Sequence, residues 1–544
     1  MKRPVRLNHI LLTVILFLLA VNLVIGTLIM QKVWAQQETA LGKDDSIKLF
    51  SEVFSIIKSS YVEPIESDEL IESAISGITS ELDPHSSYLD PDRFKALQED
   101  QREQYGGLGI IISMRNGFLT VISPIEQSPA SKLGIRAGDI IVEIEGESTK
   151  DMDINDAVKK LKGKPGTTVD IKVKKKGHAT ALPYTIERAI IKIKSVPYYF
   201  KLKDHPETGY IKITGFAQET QKELLQAIKD LNKDGMKQLI LDLRSNPGGL
   251  LDQAVAVSQL FLQNDLLIVY TKGRTRDSNQ EFYSESKSPH FDMPLVVLIN
   301  EGSASGSEIV AGAIQDYDRG LLIGMPTFGK GLVQTLFTLE EGKTALALTT
   351  ARYYTPAGRC IQKPFIKKQG VFAYSDGTPY GFTQSDDEEV QEQKITATKG
   401  GREIISNGGI NPDLTVEPDR HSLVSAKLER NAAYFEFAVK FLTKNKRVSK
   451  NIEITDDIIQ QFLAFVRSKE IDVDEAEFRE ELDMQKLLIK REILTSAFDL
   501  KTGTEFFINH DRQVLEAVER FTEAKELLPL YLQNVKQVKD KTES

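Results

Sequence analysis

Cysteine is almost missing from this 544-residue chain. Cys360 stands alone, so no intramolecular disulfide can form. It has no neighbouring base to make it a nucleophile and reads as a packed thiol. An excess of positive charge is missing too. The formal net charge is −9, which argues against nucleic acid as the main partner, because phosphate binding wants a basic face. The sharpest basic run, Lys172 with Lys174, Lys175 and Lys176, reads as a solvated strand end. There is no internal repeat, phosphate loop, zinc-ligand spacing or metal cluster, and no cofactor is read. The acidic run Asp386 to Glu389 reads as a solvated loop. None of the seven histidines sits in a strong triad context. The α/β-hydrolase pattern Gly-x-Ser-x-Gly fails as well, since Ser303 stands two before Ser305.

What remains is ordinary globular composition, 41% hydrophobic and 27% charged, in a chain too long for one core. Lys2, Arg3 and Arg6 precede an uncharged stretch from Leu7 to Gln31. A run of about 20 apolar residues spans a bilayer, and the preceding charges place the N-terminus in the cytoplasm. An uncleaved anchor fits this length better than a signal peptide, although Val33-Trp34-Ala35 offers a cleavage site. On both readings the rest of the chain lies outside the cytoplasm.

Five parts follow along the sequence: 1–35 as anchor or signal peptide, 36–104 helical, 105–190 β-rich, 191–416 α/β, and 417–544 helical. Ile47, Phe50, Phe54 and Ile57 form one apolar stripe. Asp83-Pro84-His85-Ser86-Ser87-Tyr88 breaks the helical pattern as a turn. Period-two runs predict strands over Leu108–Ile112, Leu119–Ile122, Ile140–Ile144 and Val169–Val173, with a short helix over Asp156–Leu161. Then strands at Tyr210–Ile213, Gln238–Leu243 and Pro294–Asn300 alternate with helices at Glu219–Asn232, Leu251–Leu262 and Ser305–Asp316, the signature of an α/β layered core. Residues 364–403 read as a polar surface insertion. After Pro418 amphipathic helices dominate, for example Ala426–Leu442 and Asp474–Phe498, suited to helix packing or a dimer contact.

Chemistry concentrates in three short runs. Ser303 and Ser307 read as helix N-caps. Ser305 differs, because it follows a buried strand at a helix start, where α/β enzymes place reactive groups and where backbone N–H groups favour negative charge. The turn Asn246-Pro247-Gly248-Gly249 sits at an equivalent strand end. It is either a plain tight turn or the source of a second oxyanion donor at Gly249. A serine needs a proton acceptor, and Lys330, between Gly329 and Gly331 in an apolar setting, fits once desolvation lowers its pKa. Gln334 lies four residues on, placed to orient the amine. Ser55-Ile56-Ile57-Lys58 and Lys501-Thr502-Gly503 match penicillin-binding motifs by chance.

Asn300 to Ile309 and Thr327 to Gln334 resemble the signatures of the carboxyl-terminal processing proteases, a serine peptidase family with a Ser-Lys pair. The likeness runs from about Ser46 to Asp413. It includes Asp83 to Tyr88, Asp242 to Gly249 and Tyr353 to Arg359. The resemblance implies a multidomain α/β protein: a ClpP/crotonase-like core with an inserted PDZ domain and helical N- and C-terminal regions. It implies Ser305 as nucleophile, Lys330 as general base, Gln334 as the residue that positions the lysine, and Gly249 and Gly306 N–H groups as the oxyanion hole. Gly107-Leu108-Gly109-Ile110 becomes the loop that holds a substrate's C-terminal carboxylate. Implied partners are polypeptides with free C-termini, a second copy through the helical regions, an adaptor protein, and the membrane through the N-terminal segment. The expected activity is cleavage of envelope proteins near their C-termini, with the PDZ domain gating the site. The rival reading is a peptide-binding scaffold on an idle core. Two departures stand out: Gly306 where the family commonly has alanine, and the 364–403 stretch.

Overall fold

A computed structural model describes residues 45–542, except 116, 176–179, 286–288, 369–370, 375–394, 406–407 and 420–421. The stretch Leu7–Gln31 and the run Asp386 to Glu389 lie outside the described residues. Among those described, no helix is long and apolar enough to cross a membrane. The chain divides into two compact units, Met1–Leu82 and Asp83–Ser544.

In the first unit, residues 45–60 and Ser67–Ser80 are helical. The apolar stripe expected there is largely open to solvent, with Ile47, Phe50 and Ile57 all exposed.

The second unit is built around a six-stranded sheet. Strands Thr208–Lys212, Gln238–Asp242, Leu295–Ile299, Leu321–Gly324 and Leu414–Thr415 run parallel in that order, and Tyr198–Lys201 adds an antiparallel edge. The central strands are buried along their whole length. Such strands need apolar residues on both faces, and alternation along them feeds two separate cores. Leu239, Leu241, Val297 and Ile299 point to the helices Thr220–Lys233, Leu251–Ser258 and Gly306–Asp316. Ile240, Val296, Leu298 and Ile323 join Val514, Ala517 and Phe521 from the C-terminal helices. The helical tail is therefore part of the fold of the α/β layer. The remaining tail helices gather a core of their own around Phe437, Phe462 and Phe478.

A second sheet, which period-two reading did not single out, carries Ser87–Leu89, Thr344–Tyr354, Leu267–Gly273 and Glu281–Tyr283 in order, with Leu332–Leu339 also paired to Thr344–Tyr354. Its strands are only partly buried, so their apolar pattern is weak. Pairing of Ser87–Leu89 with Ala347–Ala345 draws the Asp83–Tyr88 turn onto the core.

The β-rich module is an antiparallel sheet in the order Ile110–Arg115, Phe118–Pro124, Ile140–Ile144, Thr168–Lys174, Leu182–Glu187. The first strand begins at Ile110 rather than Leu108, because Gly109 adopts φ +72° and breaks the extended run. The fifth strand escaped reading, since Pro183 interrupts its pattern. Gln104–Gly107 and Ala189–Lys192 pair at the base of the module. Its far side meets the tail: a Cβ on Gly138 would stand 2.6 Å from Val439 Cγ1.

Two expected tail helices are each split. Ala432, at φ 52°, separates Leu423–Arg430 from Ala433–Lys444, and Glu481 separates Glu475–Glu480 from Leu482–Ala497. The 364–403 stretch contributes two hairpins, Phe365–Lys368 with Val371–Tyr374 and Ile395–Ala397 with Glu403–Ile405. The second is tied to the core through Thr398 and Arg402, both bonded to Asp318.

Candidate active site

Three serines crowd the turn after strand Leu295–Ile299, and hydrogen bonding separates them. Ser303 is fully buried and donates to the Leu243 carbonyl at 2.8 Å. Ser307, equally buried, donates to the Asn246 carbonyl at 2.8 Å. Both hydroxyls staple this turn to the neighbouring strand end, a different task from the N-caps expected of them. Ser305 alone of the three opens into a cavity of about 730 Å³. It stands at the N-cap of helix Gly306–Asp316 with φ 52° and ψ −110°. A non-glycine residue there holds about 1–3 kcal/mol of strain, and such strain lifts a nucleophile clear of its strand and helix.

The same cavity is lined by Lys330, Gln334, Gly248 and Gly249. Lys330 follows strand Leu321–Gly324, and Gln334 lies in strand Leu332–Leu339. Lys330 Nζ donates to Gln334 Oε1 at 3.4 Å. Burial lowers the lysine pKa below its ordinary 10.5, against the nearby carboxylates Glu308 and Asp83, which favour the ammonium. Among the described residues no hydrogen bond joins the Ser305 hydroxyl to the Lys330 amine.

The Asn246–Gly249 turn is pinned against Ser305. Asn246 accepts the Ala304 N–H on its carbonyl at 3.0 Å, and its side chain bonds the Ile213 carbonyl and the Gly248 N–H. A Cβ on Gly248 would lie 2.7 Å from Ser305 Cβ. The N–H groups of Gly249 and Gly306 have no acceptor among the described residues. They have the character that an oxyanion site requires.

One residue central to this geometry was read only as a motif member. Glu308 is completely buried, and its carboxylate receives four donors: the Ser305 N–H at 2.8 Å, the Lys330 N–H at 2.9 Å, the Gly329 N–H at 2.7 Å and the Thr327 hydroxyl at 2.6 Å. A single anion thus ties the serine's backbone to the lysine's. Burial raises its pKa to about 7, while the four donors favour the charged form. The Ser-x-x-Glu spacing of a capping box was the available signal. A second network, which short-range spacing does not reveal, anchors the strand end before the Asn246–Gly249 turn. Arg244 bridges Asp242 to Asp511 and Gln513 of the helical tail.

In the β-rich module, Gly107, Leu108, Gly109 and Ile110 line a groove of about 220 Å³ with Val158 and Leu161 across from them. The Leu108 and Gly109 N–H groups have no acceptor among the described residues. Ser55 and Lys501, the chance matches, lie on helices, and the Ser55 hydroxyl donates to the Ser51 carbonyl.

Comparison with known proteins agrees with this anatomy. Residues 207–371 match peptidase family S41, residues 120–175 match a PDZ domain, and residues 26–93 match the activating protease CtpB N-terminal domain. A carboxy-terminal-processing protease of Bartonella bacilliformis is 41% identical over 61% of this chain and 76% of its own. The carboxy-terminal processing protease CtpA of Bacillus subtilis is 32% identical over 80% of this chain and 90% of its own. Among solved structures, a photosystem II D1 C-terminal processing protease shares 26% identity, covering 68% of this chain and 92% of that one, with a TM-score of 0.35. With its S41 peptidase domain, PDZ domain and helical C-terminal region, the chain belongs to the carboxy-terminal processing proteases, serine peptidases of family S41.

Proposed function

We propose that this enzyme is a membrane-tethered, extracytoplasmic endopeptidase that cuts envelope proteins near their C-termini with a Ser305–Lys330 pair. The observation that carries the catalytic part is the shared cavity, where the one serine of its turn that reaches it meets a half-buried lysine and the Gly249 backbone, with the Gly306 N–H next in sequence to the serine. Ser305 Oγ attacks the scissile carbonyl while its proton passes to neutral Lys330 Nζ. The N–H groups of Gly249 and Gly306 receive the oxyanion, a contribution of about 3–4 kcal/mol per donor. Collapse expels the amine, which takes the proton from Lys330. Water then resolves the acyl-enzyme by the reverse traffic. Gln334 orients the amine throughout.

The Gly107–Ile110 loop, whose Leu108 and Gly109 N–H groups have no acceptor among the described residues, lies beside apolar Ile112, Val158 and Leu161 and suits a C-terminal carboxylate with an apolar side chain. Gating by this domain is supported by a shared wall, since Asp100 and Ile193 line both the groove and the catalytic cavity. The missing Ser305–Lys330 hydrogen bond fits a resting state that substrate tightens. A ClpP/crotonase-like core is consistent with the mostly parallel sheet and its layered helices. Extracytoplasmic placement rests on the charged start and the uncharged Leu7–Gln31 run. Exposed Ile47, Leu49, Phe50 and Val53 in the first unit support a second copy as partner.

The test is hydrolysis of an unfolded protein with an apolar C-terminus. Wild type cleaves; Ser305→Ala binds without cleaving; Lys330→Ala loses activity at every pH. Because the amine must be neutral, wild-type kcat/KM rises with pH through the lowered Lys330 pKa. Cleavage by Ser305→Ala at the wild-type rate removes the assignment, and binding without cleavage by wild type favours the scaffold.

A further inference from the structure

The turn Asp83-Pro84-His85-Ser86-Ser87-Tyr88 stands out in the sequence, yet the chemistry above gives it no task. Its construction is specific. Asp83 Oδ1 accepts the N–H groups of His85 and Ser86, both at 2.8 Å, and Oδ2 accepts the Ser86 hydroxyl at 2.7 Å. The Ser86 oxygen in turn accepts the Thr349 N–H at 3.1 Å. That contact falls where the ladder between Leu332–Leu339 and Thr344–Tyr354 slips: Val333 faces Ala351, but Gln334 faces Thr349. A bulge of this kind re-aims a side chain, and the side chain at the slip is Gln334. Its amide nitrogen donates to the His85 carbonyl at 2.7 Å, while its amide oxygen faces Lys330 Nζ.

A primary amide has a donor end and an acceptor end. A carbonyl can only accept, so the His85 oxygen fixes the NH₂ end on itself and turns the oxygen toward Lys330. Held that way, the amine donates one N–H to Gln334 and keeps its lone pair. The reversed amide would donate to that lone pair and occupy it. We propose that the Asp83–Tyr88 turn is a positioning element of the protease: through the His85 carbonyl it sets the Gln334 amide so that the Lys330 lone pair stays available to Ser305. This rests on the Ser305–Lys330 reading. The imidazole of His85 completes the setting. Burial and the neighbouring lysine lower its pKa to about 4, so at neutral pH it adds no second cation beside the base.

The experiment is a double-mutant cycle in the full chain, with kcat, KM and pH profile read on a small chromogenic peptide. Asp83→Ala removes the turn's acceptor. The expected result is a kcat lower by about 10–100-fold, the size of an orientation defect, with KM unchanged. Asp83→Asn keeps an acceptor for the two N–H groups. It retains most of kcat, and its acidic limb moves to lower pH, because the carboxylate that favours the ammonium is gone. In a Gln334→Ala background, Asp83→Ala costs nothing further. The proposal is overturned if Asp83→Ala, folded by thermal melt, keeps wild-type kcat, if Asp83→Asn is as damaged as Asp83→Ala, or if the Asp83 and Gln334 losses multiply. Should Asp83→Ala not fold, Ser86→Ala carries the same cycle. Ser305→Ala and Lys330→Ala run alongside: if Lys330→Ala stays active, the dyad itself fails, and if both are dead while Asp83→Ala is normal, only the role of the turn fails.

Discussion

Two glycine loops offer backbone N–H groups that have no acceptor among the described residues, and they are held very differently. The Asn246–Gly249 turn lines a cavity on one side and is gripped by several bonds on the other. Asn246 is fully buried with both ends of its amide bonded, Ser307 reaches its carbonyl, and Phe216 bonds both sides of Gly249. The Gly107–Ile110 loop is held from one side, by the Ser128 hydroxyl and Ile125 N–H on the Gly109 carbonyl and the Ala130 N–H on the Leu108 carbonyl. Its other side faces an open groove. The contrast fits the proposed roles, an oxyanion at the first turn and a substrate carboxylate at the second. Charge that exists only in a transition state rewards donors fixed beforehand. A substrate carboxylate is charged from the start, and its groove must admit chains of varied sequence.

The strongest way to break this comparison is Gly249→Ala. Gly249 has φ 148°, and a Cβ would lie 2.1 Å from the Phe216 carbonyl oxygen. Since no side chain there can yield, the donor must move, and kcat should fall by about 10²–10³-fold with peptide binding intact. Equal loss on a tailless peptide and on a protein substrate is expected. Gly109→Ala comes next. A Cβ there meets Ser128 Cβ at 2.3 Å, at φ 72°. Here KM for a protein with a free apolar C-terminus should rise by about tenfold, one donor's worth of binding energy, while a short peptide that bypasses the groove is cleaved as before. A fall in kcat on both substrates would erase the distinction between the loops. The smallest effect belongs to Gly306→Ala. The added Cβ stands 3.0 Å from Phe216 Cδ2 and 3.4 Å from Ala254 Cβ, so a small ring shift accommodates it. Alanine also favours the helix over glycine, by less at this first position than the roughly 1 kcal/mol of a helix interior. A kcat within about threefold of wild type with an unchanged or raised melting temperature is the expected result.

Legibility tracked burial. Strands Gln238–Asp242 and Leu295–Ile299 are buried end to end, with apolar runs Leu239–Leu241 and Leu295–Ile299 because both faces are covered, and their positions could be read to within a residue. Thr344–Tyr354 mixes alanine and leucine with threonine, arginine and tyrosine and is only partly buried, so its strand character was hidden. The helix over Ala426–Leu442 looked continuous because its periodicity passes through Ala432, and only the left-handed backbone there breaks it. At the site, local spacing was enough to single out Ser305, Lys330 and Gln334. It gave no sign that Ser303 and Ser307 were already committed to carbonyls on another strand.

By itself the sequence determined the order of the α/β units, the serine at a helix start, the lysine between glycines and the family resemblance, because each is written in residues a few positions apart. Contacts across long separations were decided by tertiary structure alone. Gln334 meets His85 across 249 positions, and Arg244 meets Asp511 across 267. Glu308 gathers N–H groups from the Ser305 and Lys330 loops only once two parallel strands lie side by side. Hydrogen bonds are directional and short-ranged, so which donor finds which acceptor is set by how the layers pack.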